Sequence, residues 1–263
     1  MAFIQHEKDG LVYMSSDIIK AFNVFTTRYG GVSEGIFESL NMGSNIGDPQ
    51  ENVEKNYGRV CNLLGVGIND CCVTKQVHGN IVRVVSQEDK HSVGAVVPYE
   101  ADGLVTNEWN MPLMCFTADC TPVLMCDREN SVIAAVHCGW RGSCGDIIAV
   151  AVNKMLEMGA KTESICVAMG PAIGGCCFET DGDVPEAVDK WLGPESGTYI
   201  RRSDGKYLVD IRKANKNRLL SLGVPEKNID ISEECTMCSH EKYWSHRYTH
   251  GKRGVQCSAV VLR

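Results

Sequence analysis

The sequence has no long apolar run, no proline-rich linker and no low-complexity tract. No stretch approaches the roughly 18 apolar residues of a membrane span, and the N-terminus lacks the basic and apolar segments of a secretory signal. We therefore expect a cytoplasmic protein with no membrane partner. Because no repeat of fixed period occurs, the simplest interpretation is one domain covering residues 1–263.

Signatures of the common nucleotide-binding classes are also missing. No G-x-G-x-x-G segment follows a predicted strand, and no G-x-x-x-x-G-K-[ST] segment occurs, so neither a Rossmann domain nor a P-loop is indicated. The formal net charge of -7 leaves no basic face for a phosphate backbone, which argues against polymeric nucleic acid as a partner. A local pocket containing arginine can still hold a small anion.

Cysteine, in contrast, is abundant. The 14 cysteines are irregularly spaced and include two adjacent pairs, Cys71-Cys72 and Cys176-Cys177. This pattern is typical of buried or metal-binding thiols in a reducing compartment, so we expect few or no disulfides. A C-x-x-C segment, formed by Cys235 and Cys238, has no second C-x-x-C to accompany it, and we interpret it as incidental.

Short strand-like segments bounded by Gly, Asn or Pro dominate the first half, and strands and helices alternate in the second. The pattern predicts an α+β, or mixed α/β, sandwich in which mixed-direction sheets carry flanking helices. One helix is predicted to begin at an Asp48 N-cap, with Pro49 in its first turn. The other predicted helices cover 146–158, 184–192 and 211–222. The predicted strands cover 22–27, 70–77, 81–86, 103–106, 112–117, 123–126, 132–136, 164–169 and 255–262.

Three metal-ligating residues stand where apolar runs end. His78, Cys120 and His137 are each followed at once by residues that turn the chain, so their side chains can project from strand ends into one cavity. Two imidazoles and a thiolate are ligands that zinc prefers, and a set of three leaves a fourth position open for chemistry. The sequence therefore suggests a catalytic zinc centre, with copper as a strong competitor for the same ligands.

Two other interpretations of these residues stay open. The histidines can be hydrogen-bonded core residues and Cys120 a small buried side chain, because their spacing matches no zinc finger. Alternatively, Cys120 and His137 form the nucleophile and base of a metal-free cysteine hydrolase. The neighbouring carboxylate of Asp119 disfavours a bare thiolate at Cys120, whereas a metal would enforce it, so the context favours coordination.

Two glycine-rich loops are candidates for ligand contact. The segment from Gly139 to Gly145 joins a predicted strand to a predicted helix, where backbone N–H groups and Arg141 can hold a phosphate or carboxylate. It can equally be a glycine-rich turn with a solvent-facing arginine. In the loop from Gly170 to Glu179 the backbone can approach a ligand closely, and Glu179 is either a site carboxylate or a surface charge.

Several motifs resemble, in the same order, those of the laccase-domain family. Members of this family were first described as multicopper polyphenol oxidases and are now associated with purine nucleoside phosphorylase and adenosine deaminase activity. The resemblance spans nearly the whole chain and implies that His78, Cys120 and His137 are zinc ligands. The motifs are Thr27-Arg28-Tyr29-Gly30-Gly31-Val32-Ser33, Ser39-Leu40-Asn41-Met42-Gly43, Gln76-Val77-His78-Gly79, Ala101-Asp102-Gly103, Thr117-Ala118-Asp119-Cys120, His137-Cys138-Gly139-Trp140-Arg141-Gly142 and Gly170-Pro171-Ala172-Ile173-Gly174-Gly175-Cys176-Cys177-Phe178-Glu179.

The same resemblance suggests which residues handle substrate. Phosphorolysis needs an anion site near the ribose C1′, for which the candidates are Arg141, Arg28 and Asn41. The chain departs from the family pattern at Cys138, where alanine is commoner, and at Tyr248, which replaces the second of two consecutive arginines. The other candidate substrate-binding residues are Asp102, Asp119, Glu179 and Arg247.

The implied activity is zinc-dependent phosphorolysis of adenosine, inosine and methylthioadenosine to free base and ribose 1-phosphate. Deamination of adenosine by a metal-activated water is implied beside it. The expected partners are thus purine nucleosides and phosphate. A copper-dependent polyphenol oxidase is an alternative, but a multicopper site needs more imidazoles than the seven histidines can plausibly supply.

Overall fold

The computed structural model describes residues 3–91, 97 and 99–263. No helix in this part of the chain combines the length and apolarity needed to cross a bilayer. The α-helices are α1 Gln50–Leu64, α2 Trp140–Cys144, α3 Ile147–Glu157, α4 Asp183–Leu192 and α5 Ile211–Ser221. The strands are β1 Phe3–Lys8, β2 Leu11–Ser16, β3 Phe22–Thr26, β4 Val82–Val84, β5 Gly103–Thr106, β6 Leu113–Thr117, β7 Thr121–Asp127, β8 Val132–Cys138, β9 Cys166–Met169, β10 Glu179–Thr180, β11 Tyr199–Arg201, β12 Tyr207–Val209, β13 Ile229–Ile231 and β14 Gln256–Val261.

Two large sheets form the centre of the fold. The first has six strands in the order β13-β9-β7-β8-β5-β4, with parallel pairs at both ends and antiparallel pairs between them. The second is antiparallel, in the order β1-β2-β3-β14-β6. A small antiparallel sheet, β10-β12-β11, lies beside them.

Alternating side chains of the central strands stack these sheets into layers. Along β7, Val123 and Met125 pack with α3 and α5, whereas Leu124 and Cys126 pack against the five-stranded sheet. The outer face of that sheet is covered by α1. Both faces of β7 are thus buried, which explains why its sequence is continuously apolar rather than alternating. The arrangement confirms the predicted sandwich of mixed-direction sheets with flanking helices.

The start of the first long helix differs from the prediction. Pro49 occupies the cap position of α1, and Asp48 makes no cap hydrogen bond there. The carboxylate of Asp48 instead accepts hydrogen bonds from the Ser33 hydroxyl at 2.6 Å and the Asn41 side-chain amide at 2.8 Å. The N-cap prediction was wrong because these long-range donors outcompete the local backbone for the carboxylate.

The predicted strand over 70–77 was also wrong. This segment makes only isolated bridges, at Cys72 and Lys75, within the described residues. Gln76 contacts β6 through its side chain: its amide donates to the Phe116 carbonyl and accepts from the Phe116 N–H, both at 2.7 Å. A side-chain amide therefore makes the pair of bonds that a strand backbone would make.

Three elements were not anticipated. The hairpin of β1 and β2 begins with a strand, Phe3–Lys8, whose exposed polar residues give no burial pattern. The short helix α2 precedes α3, and Asp146 between them has a left-handed backbone with φ 64. The strands of the small sheet have only two or three residues each, too few to show a period.

Candidate active site

The topology brings the three predicted metal ligands to one edge of the six-stranded sheet. Cys120 immediately precedes β7, and His137 lies near the end of β8, paired with Pro122. His78 lies in the loop that leads into β4. Because antiparallel neighbours place the start of one strand beside the end of the next, the side chains converge. Their ligand atoms lie within 4.8 Å of one another.

The buried carboxylate of Asp102 accepts hydrogen bonds from His137 and from the backbone around His78, and so fixes both residues. The Nδ1 atom of His137 donates to Asp102 Oδ1 at 2.7 Å, which turns Nε2 toward the centre. The backbone N–H groups of Val77, His78 and Gly79 donate to the same carboxylate at 2.8 to 3.2 Å. These bonds stabilise the left-handed backbone of His78, φ 59, a strained conformation. Asp102 therefore positions His78 and His137 and is not among the residues that line the cavity, where a substrate-binding residue was expected.

Two glycines are required by the closeness of the loops. A Cβ at position 139 would lie 3.0 Å from His78 Cδ2 and 3.2 Å from Cys120 Sγ. At position 142 it would lie 2.6 Å from the Gly79 carbonyl oxygen, which belongs to the backbone and cannot rotate away. The glycines of the Gly-Trp-Arg-Gly segment thus allow the loop to pack directly on the ligand residues.

The pKa values of Cys120 and His137 are both strongly shifted by their surroundings. Burial alone would raise the pKa of Cys120, but the imidazoles of His137 and His78 outweigh it and lower the pKa to about 6. Burial would likewise lower the pKa of His137, yet the Cys120 thiolate and Asp102 raise it to about 9. Without a metal, the pair is therefore a thiolate and an imidazolium near neutral pH.

The centre opens into a cavity of about 330 Å³, the size of a small-molecule site. His78 and Cys120 lie on its floor, while Trp140, Phe178 and Ile173 supply apolar walls. Cys138 also lines the cavity, but it is not within ligand distance of the three-residue set. The cavity thus combines potential metal ligands with surfaces suited to a flat aromatic ring.

Three arginines face the same cavity: Arg141, Arg247 and Arg253. Arg141 is exposed and lies over the Trp140 ring, whereas Arg253 is partly buried and its Nε has no hydrogen-bond partner in the described structure. Arg247 is fixed by a bond from Nη1 to the Glu179 carbonyl at 2.9 Å. Clustered guanidinium groups of this kind suit a phosphate.

Asp119, one of the predicted substrate-binding residues, lines the cavity. Its carboxylate accepts hydrogen bonds from the Thr236 hydroxyl and the Arg247 backbone N–H, both at 2.6 Å. The carboxylate is thereby turned toward these donors. Asp119 therefore joins three segments around the cavity, while the larger influences on the Cys120 thiol are burial and the imidazoles of His137 and His78.

The remaining predicted substrate residues lie outside the cavity lining. Arg28 donates to the Glu38 and His240 carbonyls and stacks over Trp244. Asn41 is fully buried and bonded to backbone and Asp48. The carboxylate of Glu179 pairs with Arg202 on the small sheet. All three have internal partners.

Sequence reasoning missed two cavity residues near the C-terminus, His246 and Arg253. Arg253 Nη2 lies 3.4 Å from His246 Nδ1, and burial and Arg253 together lower the pKa of this histidine. The only local signal was the position of Arg253 between glycines, just before the terminal strand. Nothing in this local pattern indicates that Arg253 lies in the same cavity as Cys120, which comes 133 residues earlier in the chain.

Fold and site together define a class of protein: a layered α+β sandwich with an open His/Cys/His centre at a sheet edge. The sequence profile of the family described as multi-copper polyphenol oxidoreductase laccase matches residues 22–263. The chain therefore belongs to this laccase-like family.

Similar proteins bear a different kind of name. The chain is 36% identical over 248 residues to a protein of Geobacillus stearothermophilus named purine nucleoside phosphorylase YlmD, covering 90% of this chain and 89% of that one. It is also 36% identical to a purine nucleoside phosphorylase of Corynebacterium glutamicum, covering 91% and 93%. The crystal structure of the Geobacillus YlmD superimposes with a TM-score of 0.92 over 98% of both chains, at 33% identity.

Proposed function

We propose that this protein is a purine nucleoside phosphorylase that works in the cavity above His78, Cys120 and His137. The observation that carries the proposal is the juxtaposition of this centre, an arginine cluster and aromatic walls in one cavity. The names of the relatives support the same reaction. Reduced thiols throughout the described structure fit a cytoplasmic location, which we propose as well.

The centre fits a zinc ion. It offers two nitrogens and one sulfur, Asp102 orients His137 as carboxylates orient zinc-bound histidines, and Gly139 leaves the space between the ligands clear. Zinc, or copper in its place, would supply a positive charge and a Lewis acid at the cavity floor.

The cavity residues suit the rest of the reaction. Arg247 and Arg253 hold inorganic phosphate, and Trp140 and Phe178 enclose the purine. A phosphate oxygen forms a bond to C1′ of the ribose while the bond from C1′ to the purine nitrogen breaks. The electron pair stays on the purine, which takes up a proton. The protein contributes by holding both reactants together in a water-poor cavity.

Deamination of adenosine is a second activity that we propose for the same cavity, because its His/Cys donor set is like that of zinc deaminases. A multicopper oxidase is disfavoured. In the described part of the chain, only the three-residue centre and one four-cysteine cluster group three or more potential ligands, and together they contain two histidines, too few for a multicopper site. The cysteine hydrolase is supported by the Cys120–His137 ion pair, and it is distinguished by needing no metal.

Nucleoside turnover with and without phosphate tests these alternatives. Inosine, adenosine and methylthioadenosine are incubated with metal-loaded protein, and base and ribose 1-phosphate are separated by chromatography. We expect base release only with phosphate, in equal amount to ribose 1-phosphate. Base release at the same rate with and without phosphate would overturn the proposal. Full activity in metal-free protein would favour the hydrolase, and phenol oxidation that scales with bound copper would favour the oxidase.

A further inference from the structure

A second cluster of potential metal ligands lies beside the cavity wall. Cys176 and Cys177 come from the loop between β9 and β10, and Cys235 and Cys238 come from the segment after β13. Their four Sγ atoms lie within 4.8 Å of one another. The C-x-x-C segment was interpreted as incidental because the sequence shows no second C-x-x-C, but the fold brings the vicinal pair to it as a second pair of thiols.

The sulfur separations suit a tetrahedral metal site. Cys238 Sγ lies 3.4 Å from Cys177 Sγ and 3.8 Å from Cys176 Sγ. A disulfide needs about 2.05 Å between sulfurs. Four sulfurs at the usual zinc distance of about 2.3 Å lie about 3.8 Å from one another at the corners of a tetrahedron. The observed separations are close to the second arrangement and far from the first.

The two loops are fixed to each other by their backbones as well. The Thr236 N–H donates to the Ala172 carbonyl at 3.1 Å, and the Gly174 N–H donates to Cys235 Sγ at 3.2 Å. A Cβ at position 174 would lie 2.8 Å from Arg212 Nη2 and 3.2 Å from Cys176 Sγ, so a side chain there would displace one of these groups. The sulfurs are thus held by a packed turn rather than by mobile loops.

The surroundings also suit the charge of such a site. Four thiolates around a divalent ion carry a net charge of about -2, which needs a nearby cation when partly buried. Arg212, 8% exposed, lies against the Gly174 turn. Its Nη1 donates to the Ser232 and Glu234 carbonyls, while its Nε makes no hydrogen bond among the described residues and lies 3.9 Å from Asp210 Oδ1.

We propose that Cys176, Cys177, Cys235 and Cys238 form a closed tetrathiolate site for zinc or another soft divalent ion. Two of the thiols, Cys176 and Cys238, are exposed, so an ion can enter from solvent. Each thiol releases its proton to solvent as its bond to the metal forms. Four protein donors leave no open position, which makes this a structural centre that fastens the two loops together.

The position of the site gives it a consequence for the cavity. Ile173 and Phe178, on either side of the vicinal cysteines, line the cavity. Thr236, next to Cys235, donates to Asp119, the neighbour of Cys120. A metal at the four-cysteine cluster therefore stabilises one wall of the cavity without taking part in the reaction.

The test counts metal in protein that lacks the first centre. Cys120→Ala is prepared with zinc and without chelator, and its metal is measured by elemental mass spectrometry. We expect one zinc per chain in Cys120→Ala, almost none when Cys238→Ser is added, and one again when Cys166→Ser is added instead. Cys166 is a partly exposed thiol outside both clusters, so it is the matched control.

X-ray absorption on the zinc-loaded Cys120→Ala protein provides a readout that does not depend on the folding of the second variant. We expect four sulfur neighbours at about 2.3 Å. Zinc-free Cys120→Ala protein, or zinc bound mainly through nitrogen and oxygen, would overturn the proposal. So would a disulfide within the cluster of freshly purified protein, detected as thiols that alkylate only after reduction. Because metal is counted without any substrate, these outcomes are independent of the phosphorylase proposal.

Discussion

The two clusters of potential metal ligands in this molecule differ in the number of donors, in the kind of donor and in the surface that they face. His78, Cys120 and His137 offer three mixed donors at the floor of a cavity, whereas the second cluster offers four sulfurs between two loops. The first cluster faces the cavity, whereas two thiols of the second, Cys176 and Cys238, face solvent. On our proposals, the number of donors and their access to the cavity, rather than cysteine content, separate a site for chemistry from a site for stability.

The two clusters are also mechanically linked. The hydrogen bond from Thr236 to Asp119 joins the residue after Cys235 to the residue before Cys120. A substitution in one cluster can therefore affect the other. The most informative variants are those that change activity and stability to different extents.

The largest expected effect is on activity when the first cluster loses its sulfur. Cys120→Ala should lower the turnover of inosine by about 100-fold or more, the order found when a main electrostatic group is removed. Its melting temperature should change little. Cys238→Ser should do the reverse, lowering the melting temperature by roughly 4–8 °C for a loss of about 2 kcal/mol.

Paired activity assays and calorimetry measure this contrast, with Cys166→Ser as the unaffected control. If both variants lost activity and stability in the same proportion, the two clusters would not have separate roles.

A smaller effect is expected from the carboxylate behind the first cluster. Asp102→Asn keeps the shape but loses the charge that orients His137, so metal affinity or activity should fall by roughly 10- to 100-fold. Zinc titration with a competing chelator measures the affinity. If only the KM for nucleoside changed and the zinc affinity stayed the same, Asp102 would instead act in substrate binding.

A still smaller effect is expected from the arginine cluster. Arg253→Met should raise the KM for phosphate by about 10-fold, since one hydrogen bond to a charged group is worth about 1.5 kcal/mol or more. The KM for inosine should change less. Arg202→Met is the matched control, because Arg202 pairs with Glu179 outside the cavity. Equal effects of the two variants would contradict a phosphate site at Arg253.

The smallest expected effect is that of pH on the stability of chelator-treated protein. Folding lowers the pKa of Cys120 from 9.0 to about 6, so the folded protein loses this proton more readily than the unfolded chain. The resulting contribution to the free energy of unfolding is present above pH 9 and is lost as pH falls from 9 to 6. The raised pKa of His137, from 6.5 to about 9, favours gain of a proton, and its contribution is lost as pH rises from 6.5 to 9. The two contributions have opposite slopes.

The pair should therefore add almost no pH dependence to the unfolding free energy over this range. In contrast, alkylation of Cys120 should follow its thiolate, rising with an apparent pKa near 6. Mass spectrometry of Cys120 after brief alkylation at a series of pH values measures this. A midpoint near the ordinary value of 9.0 would show that the imidazoles do not hold the thiolate.

Much of the layered fold was predictable because its central strands carry continuous apolar runs and its helices carry a clear period. The convergence of Cys120 and His137 was also predictable, since they stand at the facing ends of two strands, whereas His78 joins them from a loop and not from the predicted strand. Asp102 and Arg253 were not assigned correctly, because their roles depend on contacts set by strand order. The pairing of the two cysteine pairs is likewise a result of topology, which no local spacing encodes.

The central claim is tested most directly by tracing oxygen in the products of adenosine. The reaction is run with phosphate in water that carries the heavy oxygen isotope, and the products are identified by mass spectrometry. We expect adenine and ribose 1-phosphate without the heavy isotope at C1′, because the phosphate supplies that oxygen. Deamination at the same cavity would add inosine labelled at C6. Free ribose labelled at C1′, formed at the same rate without phosphate, would show hydrolysis and contradict the account.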